Sequence, residues 1–333
     1  MFSYRLHKPA PIETAPLISE EVDIPAPGEG QILLRVLACG VCHTDLHIAE
    51  GDIPLHRKPI TPGHQVVGEV VEVGHGIERF QVGDKVGLAW LAQTCGVCEY
   101  CRSGRENLCK KAKFTGYDID GGFAQYVVAR QDYAYRLPEG LSPAQVAPLL
   151  CGGIIGYRAL RLTGIKRGER LGLYGFGNSA HIALQVAIHW GCRVYVATRS
   201  PEHQQMARDM GAVYARSAEE MPREVLDAAI IFAPAGELVP QALEALDRGG
   251  KLILAGIYMS PTPPLDYQKH LYQEKSIQSV ANATRQDGEE LLALAQEIPI
   301  KTEVEEYPLK EVNAVLRRLK EGKVRGGAVL LVG

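Results

Sequence analysis

The chain has 333 residues, with 36 Lys and Arg against 39 Asp and Glu, a formal net charge of −3 and 46% hydrophobic residues. That near-balance gives no basis for a nucleic-acid partner or an anionic membrane surface. No apolar run approaches the ~20 residues of a membrane span, and Met1–Pro9 has no apolar signal core. The expectation is a cytoplasmic chain of about two domains, with its eight cysteines as thiols or metal ligands.

Residues 1 to about 150 are rich in Val, Gly and Pro. Val66–Gly74, Gly83–Trp90 and Phe123–Val128 read as short strands between glycines, which predicts a compact, mostly β region. From residue 152 the pattern changes. Leu171–Gly175 reads as a buried strand, 178–190 as a helix, Arg193–Thr198 as the next strand, and Glu202–Met210 as a helix stopped by Gly211. Ala228–Phe232 and Lys251–Ala255 continue the alternation, so an α/β fold with a parallel sheet covered on both faces is predicted. Near the end, Leu309, Val312, Val315, Leu316 and Leu319 make an apolar helical stripe that Gly322 would stop.

Four cysteines crowd one stretch: Cys95, Cys98, Cys101 and Cys109. Four thiolates from one loop can close a tetrahedron around Zn²⁺ and leave no open position, the pattern of a structural site. The loop around them, about 92–112, lacks a core of its own, so metal binding would supply its folding energy. An iron–sulfur cluster and plain free thiols are the other readings of this spacing. A second set is dispersed: Cys42-His43-Thr44-Asp45 with His47, then Gly63-His64-Gln65, then Cys151-Gly152. Each piece alone is weak, and Cys39-x-x-Cys42 also reads as a dithiol pair.

Taken in order, these segments resemble the zinc-dependent alcohol dehydrogenases of the medium-chain dehydrogenase/reductase superfamily, over essentially the whole chain. The resemblance implies that Cys42, His64 and Cys151 hold a catalytic zinc, the Cys₂His set with one position open to substrate oxygen. It implies further that Asp45 accepts the imidazole N–H of His64, that Thr44 hydrogen-bonds the alcohol, and that His47 exchanges its proton with solvent. Cys39 and Cys192 are then left over as small buried groups. Relatives often carry Glu where this chain has Gln65, and Thr where it has Ile155. Trp90 and Leu91 are expected to line an apolar substrate pocket.

Gly175-Phe176-Gly177-Asn178-Ser179-Ala180 follows a strand and opens a helix, a Gly-x-Gly-x-x-Ala form of the dinucleotide fingerprint. Gly175 permits the turn, Gly177 the approach of pyrophosphate, and Ala180 close helix–strand packing. The acid that binds a ribose 2′-OH is absent after the second strand, where Thr198-Arg199-Ser200 stands. A forked cation between two hydroxyls suits a 2′-phosphate, so NADP is expected over NAD. His43 and Arg325 match positions that contact pyrophosphate in the family.

The resemblance thus implies a GroES-like catalytic domain from 1–151 and 287–333, with a Rossmann domain at 152–286 inserted in it. It implies two zinc ions per chain, a small alcohol or aldehyde as substrate, and a homodimer or homotetramer. Two other readings are a C=C reductase of the same superfamily and a non-catalytic nucleotide-binding zinc protein. Each would hold about one metal per chain.

Overall fold

A computed structural model describes residues 1–223 and 225–333. The chain divides into two compact units, Met1–Cys151 with Asn282–Gly333, and Gly152–Ala281. Among the described residues, no helix is long and apolar enough to cross a membrane.

The first unit is built on a seven-stranded sheet whose hub is the strand Gln31–Val41. Gln65–Val73, Tyr126–Arg130 and Gly327–Leu331 all pair antiparallel to it. Lys85–Leu88 and Ala134–Arg136 extend the sheet beyond Gln65–Val73, and Val304–Pro308 pairs parallel to Gly327–Leu331. Ile32, Leu34, Val36, Val66, Val70 and Val86 interlock beneath it with Phe123. The helix Val312–Lys320 adds Val312, Val315 and Leu316 to the same core. Gly322 follows that helix at φ +65°, the left-handed conformation that closes a helix end.

The second unit holds a six-stranded, wholly parallel sheet. In spatial order its strands are Tyr214–Arg216, Arg193–Ala197, Arg170–Tyr174, Leu226–Ile231, Leu246–Leu254 and Ser276–Ser279. In sequence order that is 3-2-1-4-5-6, the doubly wound arrangement that binds dinucleotides where the order reverses. The first strand, Arg170–Tyr174, feeds the glycine turn and the helix Asn178–His189. The expected α/β class is observed, a mostly β unit and a parallel sheet with the Rossmann strand order.

Candidate metal centres and dinucleotide turn

The strand Gln31–Val41 runs into Cys42, which is extended (φ −127°, ψ 158°) and caps the helix His43–Glu50. Asp45, three residues on, is fully buried. One oxygen, Oδ2, accepts the Cys42 backbone N–H at 2.9 Å. The other, Oδ1, accepts from Gly63 N at 3.2 Å and lies 3.1 Å from His64 Nδ1. A single carboxylate therefore ties the helix start to the segment that carries His64. Gly63 must be glycine: its φ is +96°, and a Cβ there would lie 2.5 Å from the Phe123 ring and 2.9 Å from Cys39 Sγ.

Cys151 ends the first unit, and its Sγ lies 3.9 Å from Cys42 Sγ and 3.3 Å from His64 Nε2. Around a tetrahedral zinc, two bound sulfurs sit about 3.8 Å apart and a sulfur and imidazole nitrogen about 3.6 Å. The trio fits such an ion. Burial works against charge on His64, but the negative field and hydrogen bond of Asp45, with Cys42, outweigh it and push its pKa up to about 10. The contact of Asp45 with Nδ1 leaves Nε2 directed at Cys151. The hydrogen bond from Cys151 holds the Cys42 thiol well below its ordinary range, while Cys151 is raised well above.

The other positions singled out in the sequence around this trio are placed as follows. Thr44 is buried, its Oγ1 3.7 Å from the Cys42 thiol that donates to it. His47 is one turn further along the helix, with Nδ1 2.8 Å from Asp52 Oδ2. Gln65 is buried across the sheet from Gly40, its amide lying where a Gly40 Cβ would be. Cys39 is fully buried under Gly63 and outside the trio, its thiol raised by desolvation. Trp90 meets His64 nearly edge-on, with ring centroids 5.1 Å apart. Leu91 is buried in the short strand Leu91–Gln93.

Sequence reasoning missed the neighbours of Trp90. Phe114 stacks on it at 4.9 Å, Tyr117 lies at 5.9 Å, and His56 is 4.5 Å from Tyr117. No local pattern links rings so far apart in the chain. It also missed Asp52, whose only signal was its place just past the helix end.

The second cluster is compact in sequence as well as in space. Cys95–Cys101, Cys98–Cys101 and Cys95–Cys109 sulfurs are 3.9, 3.5 and 3.6 Å apart. All four ligand atoms lie within 4.8 Å of one another. These edges again match a tetrahedral zinc, here with four thiolates. Backbone N–H groups of Val97 and Cys98 point at Cys95 and bring its thiol down to about 6.

In the second unit Gly175 turns at φ +86°, and a Cβ would sit 2.9 Å from Ala233 N. Gly177 then caps the helix, and Ala180 is fully buried beneath it. Past the second strand, Arg199 is exposed, and its charge helps lower Glu219 after that carboxylate's own hydrogen bonds to backbone and Ser217. Ser200 Oγ caps the helix Pro201–Asp209 by accepting from His203 N at 3.2 Å. The Thr198 carbonyl accepts from Gln204 Nε2 at 2.8 Å. His203, unnoticed in the sequence, approaches Phe176 of the glycine turn at 6.3 Å. Ile155 is half-buried in the helix Gly152–Thr163. His43 and Arg325 belong to the first unit. His43 is exposed, and the Arg325 backbone N–H donates to Glu305 at 2.8 Å.

Comparison with known proteins agrees with this picture. Residues 28–139 match the alcohol dehydrogenase GroES-like domain, and residues 180–297 the zinc-binding dehydrogenase domain. A relative from Mycobacterium tuberculosis (strain CDC 1551 / Oshkosh), named "Probable alcohol dehydrogenase AdhA", is 48% identical, covering 100% of this chain and 97% of its own. Among solved structures, acetophenone reductase from Geotrichum candidum in complex with NAD superposes with a TM-score of 0.87. It is 27% identical, with 99% of this chain and 96% of that one covered. The CAD of Helicobacter pylori complexed with NADP(H) superposes at 0.86 with 25% identity, covering 99% and 96%. The chain belongs to the zinc-dependent alcohol dehydrogenases of the medium-chain dehydrogenase/reductase superfamily. It is an NAD(P)-dependent oxidoreductase of the alcohol dehydrogenase class, which takes a small-molecule alcohol or aldehyde as substrate.

Proposed function

We propose that the chain interconverts a primary or secondary alcohol with its aldehyde or ketone at Cys42, His64 and Cys151, using NADP in preference to NAD. We read the first unit as the catalytic domain and the second as the coenzyme domain. The observation that carries the reading is the meeting of three ligands from residues 42, 64 and 151, with Sγ–Sγ 3.9 Å and Nε2–Sγ 3.3 Å. Three protein ligands fit a zinc ion that, when bound, acts as a Lewis acid on the substrate oxygen. Asp45 fixes the His64 ring so that Nε2 faces the two sulfurs. Thr44, beside Cys42, hydrogen-bonds the alcohol, and His47, backed by Asp52, exchanges the alcohol's proton with solvent. Trp90, against His64, forms an apolar wall for the carbon skeleton. Cys95, Cys98, Cys101 and Cys109 take the second zinc, with no catalytic part.

The coenzyme preference rests on Arg199, flanked by Thr198 and Ser200 and standing where an acid would serve a ribose hydroxyl. A panel of alcohols and aldehydes, run with NADP(H) and NAD(H) beside metal counting, tests the whole reading. Two zinc ions per chain and turnover favouring NADP(H) are expected. One ion per chain that Cys42→Ala retains would overturn the catalytic site, and a preference for NAD(H) would overturn the role of Arg199.

A further inference from the structure

Between Gln93 and Phe114 the buried residues are Glu106, Asn107 and Cys109. The four-cysteine lobe therefore has no apolar interior, and its buried groups apart from a ligand are a carboxylate and an amide. Both residues bond to one place, where the chain re-enters the first unit after residue 281: Glu106 through its carboxylate and Asn107 through its backbone carbonyl. Glu106 Oε1 accepts from the Arg285 backbone N–H at 3.0 Å and from its Nε at 3.3 Å. The Asn107 carbonyl accepts from Asn282 Nδ2 at 3.5 Å. Asn282 itself is left-handed, at φ +55°. The Arg285 guanidinium also lies over the Tyr133 ring at 4.9 Å and donates to Asp132 O at 3.4 Å. Tyr133 Oη closes the circuit: it bonds Thr94, whose Oγ1 accepts from the Cys101 thiol at 3.5 Å.

A carboxylate this buried persists only when paired, and its pair sits on the return segment. Its place in the lobe depends on a loop that nothing apolar holds in shape. We propose that the four-cysteine lobe is a clasp on the return crossover, so that an ion in the lobe and the conformation of residues 282–288 stabilise each other through Glu106 and Arg285. The proposal rests on the reading that the lobe holds a metal. It gives that metal a task beyond folding its own loop: holding the left-handed kink at Asn282. Linkage makes the coupling reciprocal.

The test uses the zinc-loaded protein and begins with its metal count, because a lobe without an ion would sink the underlying reading, and this proposal with it. With the ion present, Arg285→Ala and Glu106→Gln are challenged with a chelator while zinc release is followed. Hydrogen exchange is followed over 282–288. The expected result is release of the lobe ion about tenfold faster in both variants, with the trio's ion leaving at the wild-type rate. Stripping the lobe ion from the wild-type protein should speed exchange of the 282–288 amides about tenfold. Should Arg285→Ala fail to fold, Asn282→Ala, which keeps the Glu106 pair, is expected to show the same two changes more weakly. Wild-type release rates, or unchanged exchange after stripping, would overturn the clasp while leaving two-zinc binding intact.

Discussion

The two cysteine clusters are built in opposite ways. The trio draws its ligands from residues 42, 64 and 151, and they meet because the sheet brings them together. Cys42 follows the end of one strand, His64 precedes the start of the strand paired with it, and Cys151 closes the unit. His64 and its partner Asp45 are buried and lie within hydrogen-bond distance of each other. The lobe takes its ligands from Cys95 to Cys109, mostly half-exposed, on a loop with two short pieces of helix. On the proposed reading, the fold assembles the trio, whereas the lobe would need an ion to hold its shape. A substitution should therefore act on chemistry at the first and on stability at the second.

The largest effect that could break this contrast is Cys42→Ala. Losing a ligand forfeits the several kcal/mol a Lewis acid contributes, so turnover should fall by about 10³-fold or more. Coenzyme binding, followed by titration of nicotinamide fluorescence, should persist. Ordinary turnover in this variant would refute the metal role of the trio. Cys98→Ala comes next. Its loss should appear in the melting curve, as roughly 3 kcal/mol or more and a drop of about 6–12 °C. One zinc per chain should remain. A variant that melts with the wild type would mean that the lobe holds itself together without an ion.

Legibility in the sequence follows the same division. The lobe could be read from spacing alone because its four thiols are neighbours in the chain. The trio could not: Cys42, His64 and Cys151 are unremarkable singly, and the resemblance to a family joined them. In the second unit four of the six strands and the helices after the first two of them announced themselves through apolar runs and helical spacing, whereas the short strands Tyr214–Arg216 and Ser276–Ser279 and the helices Gly152–Thr163 and Leu238–Ala245 did not. The hub strand Gln31–Val41 did not. Its run Ile32-Leu33-Leu34 is buried without alternation, and its pairing shifts register after Leu33 and again after Val36. Contacts such as Arg285 to Glu106, 179 residues apart, leave no local trace. Neither does the ring group around Trp90.

Asp45→Asn sharpens the contrast inside the trio. The ligands stay, but the amide can no longer accept from Cys42 N, Gly63 N and His64 Nδ1 as a carboxylate does. Partners of ligating histidines are generally worth 10–100-fold in metal affinity or activity. A loss in that range is expected, measured as kcat/KM and as zinc affinity by chelator competition. Unchanged values would mean that packing alone, through Trp90, orients His64.

The smallest effect is expected from Tyr133→Phe, at the seam between lobe and sheet. Tyr133 is 7% exposed, and its hydroxyl meets Thr94 N at 2.9 Å and Thr94 Oγ1 at 2.8 Å. Phenylalanine keeps the ring beneath the Arg285 guanidinium and removes only those bonds. Thr94 is half-buried, so water replaces part of what is lost. The net penalty should be near the usual ~1 kcal/mol of one hydrogen bond, a fall of about 2–4 °C in Tm. No trio residue bonds to Tyr133, so kcat should be that of the wild type below the transition. A lower kcat with an unmoved Tm would reverse the assignment, making the lobe a participant in the chemistry and not a support for the chain around it.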